Sequence, residues 1–313
     1  MGAIRRRGRA HGALWRRWAR PRCRRARLRQ SRERARTRPR GRASRARGRA
    51  GASGRQRLKE QQQAPSGVLA IDKPEGWTSH DVVALARGVL RTRTGHGGTL
   101  DPAASGLLPL LAGSATKFAD RIHEALKVYD ALVRFGTETA TDDREGTVTR
   151  EAGVPALDVG TLENALAGLR GVIDQVPPQF AALKVSGRPA YARARAGETV
   201  ALAARRVQVH RLEVIACAAP DVRLLIVCSS GTYVRAIARD LGRALRSAAH
   251  LAALRRLAVG ALEVRDAITP DALRAQGADA VALLRPADDR LLVLDPRFVK
   301  QAAATIVGAG ETG

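Results

Sequence analysis

The residue best placed to do chemistry in this sequence is Asp101, in the segment GHGGTLDP at 95–102. The two glycines before it permit unusual backbone angles and the close approach of a ligand. Pro102 biases Asp101 away from the helical region and fixes the next φ angle. A carboxylate on so stiff a loop suits a nucleophile presented into a cleft, but it also suits a turn residue or a helix cap. The local sequence favours the structural roles, so the rest of the chain has to decide.

A second candidate is the segment SSGTYVR at 229–235, where small residues precede an aromatic ring and a guanidinium. At a strand-to-helix junction, Arg235 could pair with a carboxylate and fix its rotamer. The alternative is an arginine on an exposed helix surface. Tyr129 and Tyr233 are two of only three tyrosines in a chain with 3% aromatic residues. Core packing is the usual role of a tyrosine in a strand, and this scarcity weakens that interpretation slightly.

The histidines and cysteines predict neither a metal centre nor a disulfide framework. His96 could contact a nucleic acid base or complete a turn, and the other histidines lack the spacing of metal ligands. Cys217 and Cys228 lie in apolar, strand-like runs, so we predict that both are buried thiols.

The hydrophobic pattern predicts the elements that must position these residues. Strands are predicted at 67–72, 107–113, 127–136, 207–215, 223–229 and 254–264. Helices are predicted after a cap at Thr78 or Ser79 and at 115–126, 161–171 and 231–245, and the polar stretch 137–146 predicts a long turn or loop. No regular βαβ repeat is visible, which favours an α+β domain around a mixed, mainly antiparallel sheet.

The net charge of +26 is concentrated at the amino terminus. Residues 1–60 hold 23 Arg and one Lys against two acidic residues, whereas the remainder is only mildly basic. A segment so poor in apolar residues cannot offset the entropy of ordering, so we predict that 1–64 is a disordered extension. Three interpretations stay open for it: a basic arm that binds nucleic acid, a transit peptide, or translated sequence upstream of the true start.

Several segments together resemble the TruB family of tRNA pseudouridine synthases. They are LAIDKPEGWTSHD (69–81), GHGGTLDPAASGLLPLLAGSATKF (95–118), KVYDALVRFGTETATDDREG (127–146), VPPQFAALKVSGRPAYARARAG (176–197), SSGTYVRAIARDLG (229–242) and HLAALRRLAVG (250–260). They keep the family's order and cover most of residues 67–262, so the resemblance rests on several independent motifs rather than one.

The resemblance implies a pseudouridine-synthase-type catalytic domain, expected at 65–282. The implied reaction converts the uridine at position 55 in the T-loop of tRNA to pseudouridine on a flipped-out nucleotide. No cofactor and no metal is expected. The implied partner is the T-arm and T-loop of tRNA, and the implied enzyme is monomeric and cytoplasmic.

The resemblance also assigns roles within the pocket. Asp101 matches the family's nucleophile; attack at the sugar and a glycal route both stay open. Tyr129 would stack on the flipped base, and Arg235 would be the ion-pair partner of Asp101. Tyr233 and Leu254 would line the pocket.

A further set of matching residues lies around the pocket. His96 would occupy the place that the base vacates, and with Lys73 and Lys184 it is predicted to contact RNA. Lys73 and Pro74 also match the family's first motif, which supports the active-site loop, and Gly98 belongs to the motif that contains Asp101.

Three positions depart from the family's usual pattern. The family usually has Thr where Gly97 stands and Tyr-Ser where Phe180 and Ala181 stand, so polar contacts are expected to be missing there. Residues 283–313 resemble the start of a PUA-type RNA-binding domain and are predicted to be a truncated module.

Two alternative functions are kept beside the leading one. A guide-RNA-dependent synthase of the dyskerin type normally uses a complete PUA domain, which the short carboxyl-terminal segment disfavours. A non-catalytic chaperone that binds and remodels tRNA would not need Asp101, Tyr129 and Arg235 together.

Overall fold

A nine-stranded sheet is the frame on which the candidate residues are placed. The computed structural model describes residues 64–181, 184–185, 188–189 and 202–311, without the side chains of 184–185, 188–189 and 307–311. The strands are β1 (Gly67–Lys73), β2 (Thr94–His96), β3 (Ser105–Ala112), β4 (Lys127–Phe135), β5 (Thr137–Thr139), β6 (Val148–Glu151), β7 (Gly171–Gln175), β8 (Lys184–Val185), β9 (Arg188–Pro189), β10 (Arg205–Ala218), β11 (Asp221–Cys228), β12 (Ala249–Val259) and β13 (Leu262–Glu263).

The order of strands in the large sheet is β1-β3-β12-β4-β11-β10-β7, with β2 added to β3 and β13 added to β12. Every pair in it is antiparallel except β3 with β12, which is parallel over two residue pairs. The prediction of an α+β fold around a mixed, mainly antiparallel sheet is therefore confirmed. β5–β6 and β8–β9 form two small separate sheets.

The helices are α1 (Ser79–Leu90), α2 (Ala119–Glu124), α3 (Val159–Ala167), α4 (Val234–Ala244), α5 (Pro270–Gln276) and α6 (Pro296–Glu311). Thr78 caps α1 through a reciprocal pair of bonds with Asp81, the arrangement that satisfies two free amides at a helix start. The helix ends at Arg91, whose φ of 50° is left-handed. Among the helices in the described part of the chain, none is long and apolar enough to cross a membrane.

The central strand β4 is buried on both faces, and its alternation decides what each face contacts. Tyr129, Ala131 and Val133 share a core with residues of α3 and α4, including Ile237. Val128, on the opposite face, shares a core with residues of α6. Tyr129 therefore points toward the layer that holds α4, the helix that carries Arg235.

Three local predictions differ from the structure. The helix predicted at 115–126 is a 3₁₀ helix (Gly113–Phe118) followed by the short α2. The loop predicted at 137–146 begins with β5, which pairs with β6. Cys217 is exposed rather than buried, because it lies at the end of the long strand β10, where three successive residues are all exposed. Cys228 is buried, as predicted.

The predicted extension at 1–64 falls outside the described residues, apart from its last residue. In the carboxyl-terminal segment, Phe298, Val299 and Ala302 of α6 pack against buried residues of β4 and β11. The domain boundaries at 64/65 and 282/283 stay predictions.

Candidate active site

The Asp101 loop, residues 97–104, connects β2 to β3 and is bonded on several sides. From α1, the Ser79 hydroxyl donates to the Leu100 carbonyl at 3.0 Å and accepts from the Leu100 amide at 2.9 Å. The amide of Gly76 donates to the Pro102 carbonyl at 2.8 Å. Because both residues flanking Asp101 are bonded to other segments, the backbone at Asp101 is fixed.

Arg235 is the ion-pair partner of Asp101, with 3.0 Å between its Nε and the Asp101 Oδ2. The Arg235 side chain is only 8% exposed, whereas that of Asp101 is 44% exposed. Arg235 also donates to the carbonyl oxygens of Thr141 and Phe180, and its Nη1 lies 3.7 Å from the Asp143 carboxylate. A fixed, buried cation thus holds a carboxylate whose other side remains open to solvent.

Tyr129 lies beside this pair, deep in β4. It is 9% exposed, and burial raises the pKa of its phenol above the usual 10.0. Its hydroxyl bonds to Arg256, its direct partner in the register of β4 with β12. The Tyr129 phenol therefore keeps its proton at neutral pH, and the Arg256 guanidinium fixes its position.

Tyr233 and Leu254 complete the surroundings. Tyr233 precedes α4, and burial raises the pKa of its phenol as well. Its backbone is bonded at both polar groups to the side-chain amide of Gln175. Leu254, half-buried on β12, lines a small cavity together with Asp101 and Arg235. The cavity thus brings together Asp101, Arg235 and Leu254, and Tyr129 and Tyr233 lie within electrostatic reach of Asp101.

The Arg256 side chain supports the Asp101 loop from underneath and is 1% exposed. Its guanidinium donates to the carbonyl oxygens of Gly98 at 3.0 Å, Thr99 at 3.3 Å and Leu107 at 2.7 Å. Gly98 has a φ of +140°, which favours glycine, and a side chain there would start 3.7 Å from Arg256 Nη1. This position explains the role of Gly98 as a structural residue of the loop.

Lys73 is also buried beneath the loop, at 0% exposure. Its ammonium donates to the carbonyl oxygens of Pro74, Trp77 and Pro102, and burial lowers its pKa from 10.5 to about 8. The Lys73 ammonium is thus directed at backbone oxygens inside the protein, one of them in the Asp101 loop, and the predicted contact of Lys73 with RNA stays a prediction. Pro74 contributes one of those oxygens and lies in the exposed turn after β1.

His96 lies half-buried on β2, with its ring edge-on to His80 at 5.9 Å between centroids. Its Nδ1 accepts from the Gly98 amide at 3.4 Å, so the neutral ring carries its proton on Nε2. Burial, followed by the charge of His80, lowers its pKa below 6.5. Lys184 lies in β8, and its side chain is outside the described residues.

Sequence reasoning did not single out Asp143, Arg256 or the exposed Arg144, which pairs with Glu75 at the cavity wall. Two adjacent acids in the stretch TATDDREG were a signal for Asp143. A basic residue at a strand position, in the run LRRLAV, was a signal for Arg256. Neither signal shows whether the side chain is buried or exposed.

The departure at Gly97 has a structural counterpart. A Cβ at this position would lie 2.4 Å from Cγ2 of Ile122, so the space of a side chain is already filled. At Phe180 the contact to the site is made by the backbone carbonyl, which accepts from Arg235. Ala181 is fully buried. Across the described part of the chain, no group of three or more His, Cys, Asp or Glu side chains is placed to hold a metal ion.

Comparison with known proteins gives consistent results. Residues 87–234 match the family described as TruB family pseudouridylate synthase (N terminal domain). The chain is 47% identical over 247 residues to tRNA pseudouridine synthase B of Ralstonia nicotianae, covering 77% of this chain and 78% of that protein. It is 46% identical over 224 residues to tRNA pseudouridine synthase B of Xanthomonas campestris pv. campestris, covering 70% and 73%.

A solved structure has a similar fold at lower identity. One chain in the crystal structure of a Cbf5-Nop10-Gar1 complex aligns with a TM-score of 0.56 at 26% identity. The alignment covers 72% of this chain and 62% of that chain.

Proposed function

This chain belongs to the TruB family of pseudouridylate synthases and is an isomerase-type enzyme; from that membership we propose that it converts the uridine at position 55 in the T-loop of tRNA to pseudouridine. Asp101 is the nucleophile in this proposal. The reaction is an isomerisation, in which substrate and product contain the same atoms, so it consumes no cofactor. The enzyme works as a monomer in the cytoplasm, with tRNA as its partner and without a metal ion.

One observation carries the assignment of Asp101. Its carboxylate is partly exposed on one side and bonded on the other to Arg235, a buried cation that also donates to two backbone carbonyl oxygens. A surface ion pair would leave both groups mobile, whereas here the cation cannot move and the carboxylate has one preferred orientation. This combination of orientation and access is what a nucleophile needs.

The chemistry requires one bond to break and another to form at the same sugar carbon. The bond from uracil N1 to ribose C1′ breaks, the base turns, and C5 bonds to C1′. Asp101 supports departure of the base in one of two ways: its carboxylate adds to C1′ and leaves again when C5 bonds there, or it takes the 2′ hydrogen as a proton and returns it to C2′ when C5 bonds to C1′. Finally the hydrogen on C5 is lost to water and N1 gains a proton, which balances the isomerisation.

Tyr129 acts on the base rather than on the sugar. Because burial raises its pKa, the phenol keeps its proton at neutral pH and donates a hydrogen bond rather than starting as a base. Its ring provides a surface on which the detached uracil stacks. Leu254 and Tyr233 limit how far the uracil can turn.

The target nucleotide has to leave the stacked T-loop before Asp101 can reach it. Enzymes that act on a base inside structured nucleic acid extrude the nucleotide into a pocket. In this proposal His96 occupies the vacated position, with its Nε2–H available to the remaining loop. The tRNA is recognised mainly by its shape and its phosphates.

The direct experiment uses an unmodified tRNA transcript that carries tritium at C5 of its uridines. We expect the purified chain to release one equivalent of tritium per tRNA. A transcript with cytidine at position 55 is the matched control and should release none.

The outcomes also separate the alternatives. Equal release from both transcripts would place the modification at another uridine. No release without an added guide RNA would favour the guide-dependent class. No release despite tight tRNA binding would favour a non-catalytic chaperone and overturn the proposal.

A further inference from the structure

The described arginines of this protein divide into a large paired group and a small unpaired one. Most lie within 4.0 Å of a carboxylate, including exposed ones such as Arg274, Arg290 and Arg297. Those with no described carboxylate within that distance are Arg87, Arg91, Arg93, Arg205, Arg246 and Arg256. Arg256 is buried and bonded to carbonyl oxygens, so the others are the unpaired arginines at the surface.

Three of these five surface arginines lie within seven residues of one another, at the end of α1 and in the turn that follows. We name Arg87, Arg91 and Arg93 the α1 basic strip; all three are exposed. Arg87 donates one hydrogen bond from Nη2 to the Thr94 carbonyl at 3.3 Å. This bond fixes the position of the side chain and leaves its other N–H groups available for a ligand. Arg93 has its own carbonyl bonded to the Gly113 amide, so its backbone is anchored to the sheet.

The strip is aligned with the active site by the geometry of α1. His80 and Arg87 are seven residues apart, so they lie on one face of the helix, which has 3.6 residues per turn. Arg91 follows the last helical residue. At about 1.5 Å per residue, His80 and Arg91 are roughly 16 Å apart along the helix axis. The first of these residues, His80, is in edge-on contact with His96.

The helix is also joined to the Asp101 loop at its first residue. Ser79 exchanges two hydrogen bonds with Leu100, the residue before Asp101. These bonds hold α1, and with it the strip at its far end, in a fixed position relative to the Asp101 loop. The only carboxylate in the first turn, Asp81, is occupied with capping Thr78 and lies outside this face.

On these observations, and resting on the proposed function, we propose that the α1 basic strip binds the phosphate backbone of the tRNA outside the pocket. A strand of nucleic acid advances about 3.4 Å per nucleotide in a stacked duplex, so a span of this length faces roughly four or five phosphates. Arginine suits phosphate because its planar fork can donate two parallel bonds. Arg205, which lies within electrostatic reach of Tyr233, is a separate unpaired cation near the same pocket.

A purely structural role for the strip makes a different prediction. Arg87 and Arg91 are at the carboxyl end of α1, where a positive charge stabilises the helix dipole by about 0.3–1 kcal/mol. That role would change the stability of the protein and leave the salt dependence of tRNA binding untouched.

The test compares two triple variants that remove the same charge. Arg87→Gln/Arg91→Gln/Arg93→Gln removes the strip, and Arg274→Gln/Arg290→Gln/Arg297→Gln removes three exposed arginines that are paired with carboxylates, one in α5 and two in the carboxyl-terminal segment. Each is made in the full chain, and the tRNA Kd is measured from 50 to 300 mM KCl in an Asp101→Asn background. Binding in that background does not depend on turnover, so the result stands whether or not the proposed reaction occurs.

We expect the strip variant to bind about tenfold more weakly, as three exposed ion pairs would allow. The slope of log Kd against log salt should become shallower by roughly 2, since each phosphate contact contributes about 0.7–0.9. In the catalytically competent protein, KM should rise much more than kcat falls. The control variant should match the parent in Kd and slope.

Two results would overturn the proposal. An unchanged salt slope in the strip variant would show that the strip does not contact phosphates. An equal loss in both variants would show an effect of total charge with no local site.

Discussion

On the solvent side of the Asp101 loop, the buried Arg235 guanidinium bonds to the Asp101 carboxylate. On the underside, the buried side chains of Arg256 and Lys73 bond to backbone carbonyl oxygens. Arg235 leaves the Asp101 carboxylate partly exposed. Arg256 and Lys73 bond to carbonyls of the loop and its neighbours and are themselves almost fully buried. The same type of charge therefore serves two purposes: on one side it orients a group that can react, and on the other it fixes the backbone that carries that group.

Substitutions on the two sides of the loop should therefore affect different properties, rate on the solvent side and stability on the underside. Damage to the solvent side should remove rate beyond any loss of stability, because Arg235 orients Asp101 as well as bonding to the carbonyl oxygens of Thr141 and Phe180. Damage to the underside should lower stability first, because buried carbonyl oxygens would lose their donors. Three variants test this separation.

After substitution of Asp101 itself, Arg235→Lys is expected to have the largest effect on rate. Lysine keeps the charge but loses the fork that reaches Asp101, Thr141 and Phe180 at once. A misoriented Asp101 should lower kcat by roughly 10²–10³. The melting temperature should fall as well, because the bonds to the Thr141 and Phe180 carbonyl oxygens are weakened. Single-turnover tritium release and thermal unfolding measure the two quantities.

The control for that variant is Arg134→Lys. Arg134 makes a bidentate pair with Asp221 at the exposed end of the β4–β11 ladder, far along the strand from Tyr129. Its kcat should stay within about twofold of the wild type, as for an exposed ion pair. If Arg235→Lys also keeps its rate, orientation of Asp101 by Arg235 is not important for the reaction.

On the underside, Arg256→Met should act mainly on stability. It leaves the carbonyl oxygens of Gly98, Thr99 and Leu107 without their donor, at about 1–3 kcal/mol each, and removal of a buried charge offsets part of that. We expect unfolding free energy to fall by about 2–4 kcal/mol, measured by urea denaturation. A neutral or stabilising result would contradict the support that we assign to Arg256.

Arg255→Met is the neighbouring control. Arg255 lies on the same strand but points to Asp72, with which it forms a partly exposed pair. Its loss of stability should be clearly smaller than that of Arg256→Met. Equal losses would mean that any arginine on this part of β12 is equally important.

The smallest effect is a pH dependence at Lys73. Burial lowers its pKa from 10.5 to about 8, so below pH 8 it is charged in both states and its burial cost is fully present. Between pH 8 and 10.5 the folded state releases the proton first, and stability rises with pH. The stability of wild type relative to Lys73→Met should therefore grow from pH 8 to pH 10, by roughly 1–2 kcal/mol.

A second lysine sharpens this measurement. Lys127, whose pKa burial also lowers to about 8, should give the same trend when replaced by Met. A flat difference for Lys73→Met would contradict the burial of its charge.

The solvent side of the loop was largely predictable from the sequence. The glycines and proline around Asp101 restrict the backbone locally, and the strand-to-helix junction before Arg235 follows from hydrophobic periodicity. The pairing of the two residues came from the resemblance of whole motifs, and the distance of 3.0 Å agrees with it. The alternation of β4, which sets Tyr129 on the side of α4, is likewise a local pattern.

The underside was not predictable, because its charges contradict the usual meaning of a basic residue. Lysine and arginine are almost never fully buried unless paired, so Lys73 and Arg256 read as exposed positions in a sequence. Their acceptors are carbonyl oxygens from distant segments, and a carbonyl carries no sequence signal. The prediction that Cys217 is buried is wrong for a related reason. An apolar run predicts a strand, but the layers packed on the sheet decide which part of that strand is buried.

The most direct test of the central claim is single-turnover tritium release by Asp101→Asn, beside the matched variant Asp221→Asn and with tRNA binding measured for each. Asp221 is also paired with an arginine, but at the far end of the sheet. We predict that Asp101→Asn loses all measurable release and still binds tRNA, whereas Asp221→Asn releases tritium at the rate of the wild type. Release by Asp101→Asn at a rate near that of the wild type would show that the nucleophile is another residue.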